Sequence, residues 1–328
     1  MCSLFGWLDY QGIMPHRMLR MLTQALANAA EERGTDAAGI SYVRNGEVVI
    51  YKRPKPAHKL HFNPPEGTRA VMGHTRMTTQ GDGKFNYNNH PFAGIAGDTS
   101  FAFAHNGVLW NDKELRKDKL IPDTHIETDS YAACQLIEAQ QKLDFDSLRY
   151  MAETVEGNFT FTILDEYNSL YIVKGSNPMC LLHFPVLGLY VYASTESIMK
   201  KALKQVGLHK FAMERVETDE GDILCIDRNG EVTRSQFQPA TKYSHFSNDK
   251  WWYGDECYYG EHEEMLFLYC NCFGVDTADV ELLLEYGYTP SEVEEMLTDH
   301  SLLRETLREV KLMIGEDIYD DYCYRGAW

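Results

Sequence analysis

A cysteine stands directly after the first methionine, in Met1-Cys2-Ser3-Leu4-Phe5-Gly6-Trp7-Leu8-Asp9-Tyr10. Removal of Met1 would give Cys2 a free α-amino group. A thiol (ordinary pKa about 8.5) and an α-amine (about 7.7 to 8.0) would then share one residue, and the amine, directly or through a water, can act as the base that activates the thiol. The chemistry that fits is acyl transfer, with nucleophile and base in one package. The plainer reading is a chance cysteine in a disordered start. Four further patterns follow in order: Glu32-Arg33-Gly34-Thr35-Asp36-Ala37-Ala38-Gly39, Gly73-His74-Thr75-Arg76-Met77-Thr78-Thr79-Gln80-Gly81, His105-Asn106-Gly107 and Glu127-Thr128-Asp129-Ser130. Singly, each has an ordinary explanation: Arg76 as a surface arginine, Asn106-Gly107 as a hairpin turn, Asp129 as a first-turn acid favoured by the helix dipole. Their weight lies in occurring together.

The elements that must hold these residues can be read from periodicity. Residues 1–10 read as a strand pinned by Leu4, Trp7, Leu8 and Tyr10. Met18, Leu19, Leu22, Ala25, Leu26 and Ala29 predict a helix from Pro15, stopped by Gly34. Strands are predicted over 37–44 and 47–53, turning at Asn45-Gly46, and over 69–77, which carries Arg76 to the start of a long polar loop, 78–89. A strand over 101–110 is expected to break at Asn106-Gly107. Helices over 127–141 and 145–155 come next, then short strands at 159–164, 170–174, 179–184 and 189–193. A helix over 197–206, a strand over 210–217 and a hairpin of 223–227 with 231–237 complete the pattern. Many antiparallel strands with helices gathered in two blocks predict an α+β sandwich with helices covering both faces. Residues 238–260 read as a linker or strap. Helices are predicted over 277–285 and 291–314, the second started by Thr289-Pro290-Ser291-Glu292 and carrying a stripe of Val293, Met296, Leu297, Leu303, Leu307 and Val310.

Composition narrows the class. With 44% hydrophobic residues among 328, the chain can bury a large core, and it contains neither a membrane-length apolar run nor a signal-peptide pattern. Eight scattered cysteines without a secretory signal argue for reduced thiols and a cytoplasmic setting. The net charge is −18, but residues 249–328 hold 20 acidic and 5 basic side chains, so the first 248 are nearly balanced. Nucleic acid, which needs a basic stripe, is not an expected partner. The acidic C-terminal region either stays solvated or docks on a basic protein surface. Cys257, His262, Cys270 and Cys272 fit no standard zinc spacing.

The ordered patterns resemble those of the class II glutamine amidotransferases, N-terminal nucleophile hydrolases whose glutaminase domain opens glucosamine-6-phosphate synthase and amidophosphoribosyltransferase. The resemblance spans residues 2–237 and includes Glu156-Gly157-Asn158-Phe159, Lys174-Gly175-Ser176-Asn177-Pro178 and Glu220-Gly221-Asp222-Ile223. It implies a four-layer αββα Ntn-hydrolase sandwich with a small helical C-terminal appendage. Residues 2–237 would be the glutaminase domain, 238–260 the linker and 261–328 the acidic helical region.

Carried over residue by residue, the resemblance implies that Cys2 attacks the side-chain amide of L-glutamine. Asn106 and the Gly107 backbone N–H would hold the oxyanion, Arg76 the α-carboxylate and Asp129 the α-ammonium, with Thr79 a further glutamine contact. Arg33 and Gly34 match a helix-end motif with a structural or hinge role. No metal or organic cofactor is implied. Where glucosamine-6-phosphate synthases carry Trp and His in the loop, this chain has Met77 and Gln80, so their lid behaviour does not carry over. The 91 residues after Phe237 are too few for a synthase domain. The expectation is a glutaminase subunit that passes ammonia to an acceptor enzyme on another chain. Alternatives are a hydrolase of a γ-glutamyl or other small amide, and a non-catalytic glutamine-binding scaffold.

Overall fold

The computed structural model describes residues 2–239, 275–289, 292–293, 296–297 and 302–311. The chain divides into two compact units, Met1–Ser244 and His245–Trp328. In chain order the first unit contains β1 (Ser3–Asp9), α1 (His16–Ala30), β2 (Ala37–Arg44), β3 (Glu47–Arg53), β4 (Ala70–Arg76), β5 (Phe92–Ala96), β6 (Thr99–Leu109), α2 (Asp112–Lys117), α3 (Ser130–Ala139) and α4 (Phe145–Thr154). It continues with β7 (Gly157–Asp165), β8 (Leu170–Lys174), β9 (Cys180–Phe184), β10 (Leu189–Ala193), α5 (Glu196–Val206), β11 (Glu214–Arg215), β12 (Asp222–Ile226) and β13 (Val232–Gln236).

The strands form two antiparallel sheets. The seven-stranded sheet runs β11-β9-β10-β1-β4-β2-β3, and the six-stranded sheet runs β13-β12-β8-β7-β6-β5. β1 is a central strand, paired to β10 on one side and β4 on the other. Its side chains alternate between two apolar environments, which is why it reads as a near-continuous hydrophobic run. Phe5 and Trp7 pack with Leu22 and Leu26 of α1 and Ile198 and Leu203 of α5. Leu4 and Leu8 pack instead with Met72 of β4 and with Ala102, Leu164 and Ile172 of the second sheet. Trp7 also donates its indole N–H to Thr23 Oγ1 at 2.8 Å, so its one polar atom is satisfied in the core. On the second sheet, Phe103, Phe161 and Ile163 meet Ala133 and Leu136 of α3 and Leu148 and Met151 of α4.

Helix ends follow their local chemistry. Asp144 and Ser147 form a reciprocal capping box on α4, Thr195 accepts from the Ile198 N–H to cap α5, and Gly207 ends α5 in the left-handed region.

Three sequence expectations are corrected. β6 does not break at Asn106-Gly107: the ladder to β7 runs through both residues, pairing Asn106 with Thr160 and Gly107 with Phe159. Gly107 is required for another reason. At φ 146° a Cβ there would lie 1.9 Å from the Asn158 carbonyl oxygen. The strand expected over 210–217 is only the two-residue β11. β5 and α2 were not anticipated. In β5, Gly94 lies against the Phe101 ring, where a Cβ would sit 2.3 Å from the ring edge.

In the second unit, α6 (Thr277–Tyr286) is capped by Asp276, whose side chain accepts from the Ala278 N–H at 3.1 Å. Thr289 and Glu292 bond reciprocally, as the sequence predicted: the Thr289 N–H donates to Glu292 Oε2 at 2.8 Å and the Glu292 N–H to Thr289 Oγ1 at 3.4 Å. Residues 302–311 are helical, and Val293, Leu297, Leu303, Leu307 and Val310 bury against Val280 and Leu283. Residues 240–260 of the expected linker, the Cys257, His262, Cys270 and Cys272 set, and parts of the 291–314 helix lie outside the described residues. Among the described residues no helix is long and apolar enough to cross a membrane.

Candidate active site

Cys2 precedes β1 and is buried, its thiol donating to the Met77 carbonyl at 3.4 Å. Its own carbonyl accepts from Arg33 Nε at 3.0 Å, so the helix-end arginine holds the residue that carries the thiol. Gly34 explains the fit beside it, since a Cβ there would lie 2.5 to 2.7 Å from the Arg76-Met77 backbone. Burial pushes the Cys2 thiol above its ordinary pKa; the Arg76 guanidinium draws it down and the Asp129 carboxylate pushes it up. The thiol's partner Met77 directly follows Arg76, so the sulfur lies at the end of β4. A buried thiol of this kind needs a base to become a thiolate near neutral pH.

Arg76 ends β4, one residue beyond the Ser3–Thr75 pairing that aligns β4 with β1. Its guanidinium is buried and held at three points: Nη1 donates to Asn89 Oδ1 at 2.7 Å, and Nη2 to the Gln80 and Gly81 carbonyls at 2.5 and 2.9 Å. The loop after β4 is pinned at its start by Asp36, which accepts from the Thr78 N–H at 2.7 Å. Thr79 is half-buried in this loop.

Asp129 lies at the N-terminus of α3, and its Oδ2 accepts from the Leu109 N–H at 2.6 Å. Burial raises its carboxyl pKa to about 6, against the hydrogen bonds from Leu109 and Ser130. The same α3 turn holds His105, whose Nδ1 is 2.7 Å from Ser130 Oγ. Burial depresses His105 and His74 to about 3, so both rings are neutral near neutral pH.

Asn106 sits between the sheets at this end. His74, opposite Leu4 in the β1–β4 pairing, lies 2.9 Å through Nε2 from the His105 carbonyl, which stitches β4 to β6 next to Asn106. Its backbone carbonyl accepts from Asn177 Nδ2 at 2.8 Å. Its side-chain Nδ2 and Oδ1 are fully buried without a partner among the described residues. Leaving a buried amide unpaired costs about 1 to 3 kcal/mol, so such a group is expected where function requires it. Its donor suits a developing negative charge.

The structure thus gathers Cys2, Arg76, Asp129, Asn106 and Gly107 at one end of the two sheets and leaves Thr79 at the loop. The sequence did not point to Asn88 and Asn89, which tie this loop to its surroundings; their only signal was the length of the polar run. Among the described residues no group of three or more His, Cys, Asp or Glu could hold a metal ion.

No family model matches the chain. Glutamine–fructose-6-phosphate aminotransferase (isomerizing) of Staphylococcus aureus is 28% identical over 246 residues, 71% of this chain and 38% of that protein. Its counterpart in Staphylococcus epidermidis is 28% identical over 188 residues, 55% of this chain and 30% of that protein. The chain therefore spans well under half the length of these relatives. Among solved structures, glutamine phosphoribosylpyrophosphate amidotransferase from B. subtilis aligns with TM-score 0.56 at 20% identity, covering 72% of this chain and 49% of that one. A structure described as the allosteric regulatory enzyme of purine biosynthesis aligns with TM-score 0.58, also at 20% identity and with the same coverage. In sequence and in fold the chain resembles the class II glutamine amidotransferases, which are enzymes.

Proposed function

We propose that this chain is the glutaminase subunit of a class II glutamine amidotransferase, releasing ammonia from L-glutamine for an acceptor enzyme on another chain. The observation that carries the reading is the buried Asn106 side chain, unpartnered among the described residues, at the end of the sheets that carries Cys2 and Arg76. Once Met1 is removed, the Cys2 amine takes the thiol proton and the sulfur attacks the amide carbon of the glutamine side chain. The resulting oxyanion is met by Asn106 Nδ2 and the Gly107 N–H, donors fixed before the charge appears. The C–N bond breaks as the amine returns its proton to the leaving nitrogen, which departs as ammonia. Water then hydrolyses the thioester to glutamate and the free thiol.

Arg76 and Asp129 select for the amino-acid end of the substrate, through the α-carboxylate and the α-ammonium. Both two-pronged edges of the guanidinium include Nη2, now engaged by Gln80 and Gly81, so a bidentate carboxylate exchanges with a loop carbonyl on binding. Thr79 is placed to add a contact as that loop adjusts. The neutral His105 and His74 act as fixed struts and carry no proton in this scheme.

We infer that residues 2–237 form a four-layer αββα Ntn-hydrolase sandwich, with 238–260 as a linker and 261–328 as a small acidic helical region. The helix contacts on the outer face of each sheet and the apolar layer shared by the two inner faces support the layering. Soluble metabolic chemistry of this kind, with unpaired buried thiols at Cys134 and Cys180, fits a cytoplasmic location without metal or organic cofactor.

The test is ammonia and glutamate release from L-glutamine by Met1-processed protein beside a Cys2→Ala control, with 6-diazo-5-oxo-L-norleucine labelling read by mass. Turnover or label that disappears in the control supports the reading. Absence of both turnover and label, with the chain alone and with candidate synthases, would refute it.

A further inference from the structure

Two adjacent asparagines at the end of the loop after β4 connect the two halves of the amino-acid clamp. Asn89 faces the arginine side: its Oδ1 accepts from Arg76 Nη1 at 2.7 Å and its Nδ2 donates to the Gly83 carbonyl at 2.8 Å. Asn88 faces the aspartate side: its Nδ2 donates to Glu127 Oε2 at 2.8 Å, and its Oδ1 accepts from the Glu127 N–H at 2.9 Å. The Asn88 carbonyl accepts from Thr128 Oγ1 at 2.8 Å, one residue before Asp129. Both asparagines are buried. Lys52 of β3 fixes the pair from behind, donating Nζ to the Asn89 carbonyl and, at 2.9 Å, to the Pro91 carbonyl, while Asn86 Nδ2 donates to the Lys52 carbonyl at 3.0 Å.

We propose that Asn88 and Asn89, anchored by Lys52, are positioning residues that set the separation of Arg76 and Asp129 and so make the site selective for an α-amino acid. This rests on the glutaminase reading of the site. The carboxylate and ammonium of an α-amino acid hang on one carbon, so their receptors must be held at one short, fixed distance. A brace of two residues, whose α-carbons are about 3.8 Å apart and whose side chains point to opposite partners, provides it. A mobile loop could not, because each partner would then relax separately and admit substrates with one charge or with displaced charges. Lys52 suits the anchoring role: it is half-buried, 4.8 Å from the Phe92 ring centroid, and donates to carbonyls that a neutral side chain of its length would leave unmatched. Burial lowers its pKa to about 8, with Arg76 adding to the shift.

The brace predicts a side-specific signature. Calorimetric binding is measured on the Cys2→Ala chain, which cannot turn substrate over, with L-glutamine and with glutaramate, the analogue lacking the ammonium. Asn89→Ala should weaken both ligands by about tenfold or more, since both use Arg76. Asn88→Ala should weaken L-glutamine by a similar factor while leaving glutaramate within about twofold. Lys52→Ala, which leaves both asparagines in place, should weaken L-glutamine and narrow its advantage over glutaramate, and Lys52→Arg should restore part of it. Equal losses for both ligands in every variant, or unchanged binding in variants that melt like the parent, would overturn the brace and leave the glutaminase reading standing. A parent chain that binds neither ligand would remove the glutaminase reading, and the brace with it.

Discussion

Asp129 offers a sharp test because its buried carboxylate opposes stability while the proposed chemistry requires it. Burial raises its pKa from an ordinary 3.8 to about 6. A carboxyl that binds its proton more tightly folded than unfolded destabilises the fold above pH 6, where both states are ionised, and that penalty fades as pH falls from 6 towards 4. Two pKa units correspond to about 3 kcal/mol. Asp129→Asn removes the charge but keeps an oxygen for the Leu109 N–H, so the variant should be more stable at pH 7 by about 1 to 3 kcal/mol. For a unit of this size that is roughly 2 to 10 °C in Tm. The advantage should shrink at pH 4. Glutamine binding moves the opposite way. The α-ammonium requires ionised Asp129, so affinity should fall about tenfold between pH 7 and pH 5 in the parent, with protons released on binding near pH 6, and be nearly abolished in the variant. Calorimetry of the Cys2→Ala chain in buffers of different ionisation enthalpy reads both effects. A variant less stable than the parent at pH 7, or affinity flat from pH 5 to 7, would refute the placement of a strained carboxylate against the substrate.

Other consequences are simpler to check. Asn106→Ala should lower kcat by roughly 10² to 10³ with little change in KM, read from steady-state ammonia release. Gly107→Ala forces a side chain into a φ of 146° and against the Asn158 carbonyl; chemical denaturation should show a loss of at least about 3 kcal/mol, well beyond an ordinary surface change. Because burial raises the Cys2 thiol, its alkylation by iodoacetamide, followed on the N-terminal peptide by mass, should still be accelerating at pH 9. Arg33→Met removes the donor to the Cys2 carbonyl and should reduce turnover more than it reduces glutamine affinity.

Much of the first unit could be read from the sequence because its elements are locally unambiguous. Asn45-Gly46 turns between two β-branched runs, and α1 shows its apolar stripe without interruption. The misreadings share one cause, which is tertiary context overriding a local signal. Asn106-Gly107 carries hairpin chemistry, yet β7 supplies a continuous partner and the chain runs straight through. β5 contains a glycine and follows Pro91, so it resembles a loop until Phe101 covers Gly94 from the next strand. Cys2, Arg76 and Asp129 stood out through their ordered motifs. Asn88 and Asn89 did not, because asparagine in a polar loop is the ordinary turn residue and only the partners in space distinguish a brace from a bend. Lys52 was equally silent, since one lysine in a strand reads as solvent-facing until its bonds to the Asn89 and Pro91 carbonyls are seen.

The central place of β1 bears on when the first sheet can close during synthesis. The strand beside Cys2 gains its neighbours only from β4 and from β10, the latter reaching Phe5 through Ala193. Such long-range pairing forms late, after costly loop closure. At roughly 5 to 20 residues per second, a ribosome needs about 10 to 40 s to reach that segment. Until then β1 can pair only with β4, and the sheet beside Cys2 stays open along its other edge. For the proposed glutaminase, a nascent chain would therefore carry its thiol on an unfinished sheet, a delay that follows from strand order alone.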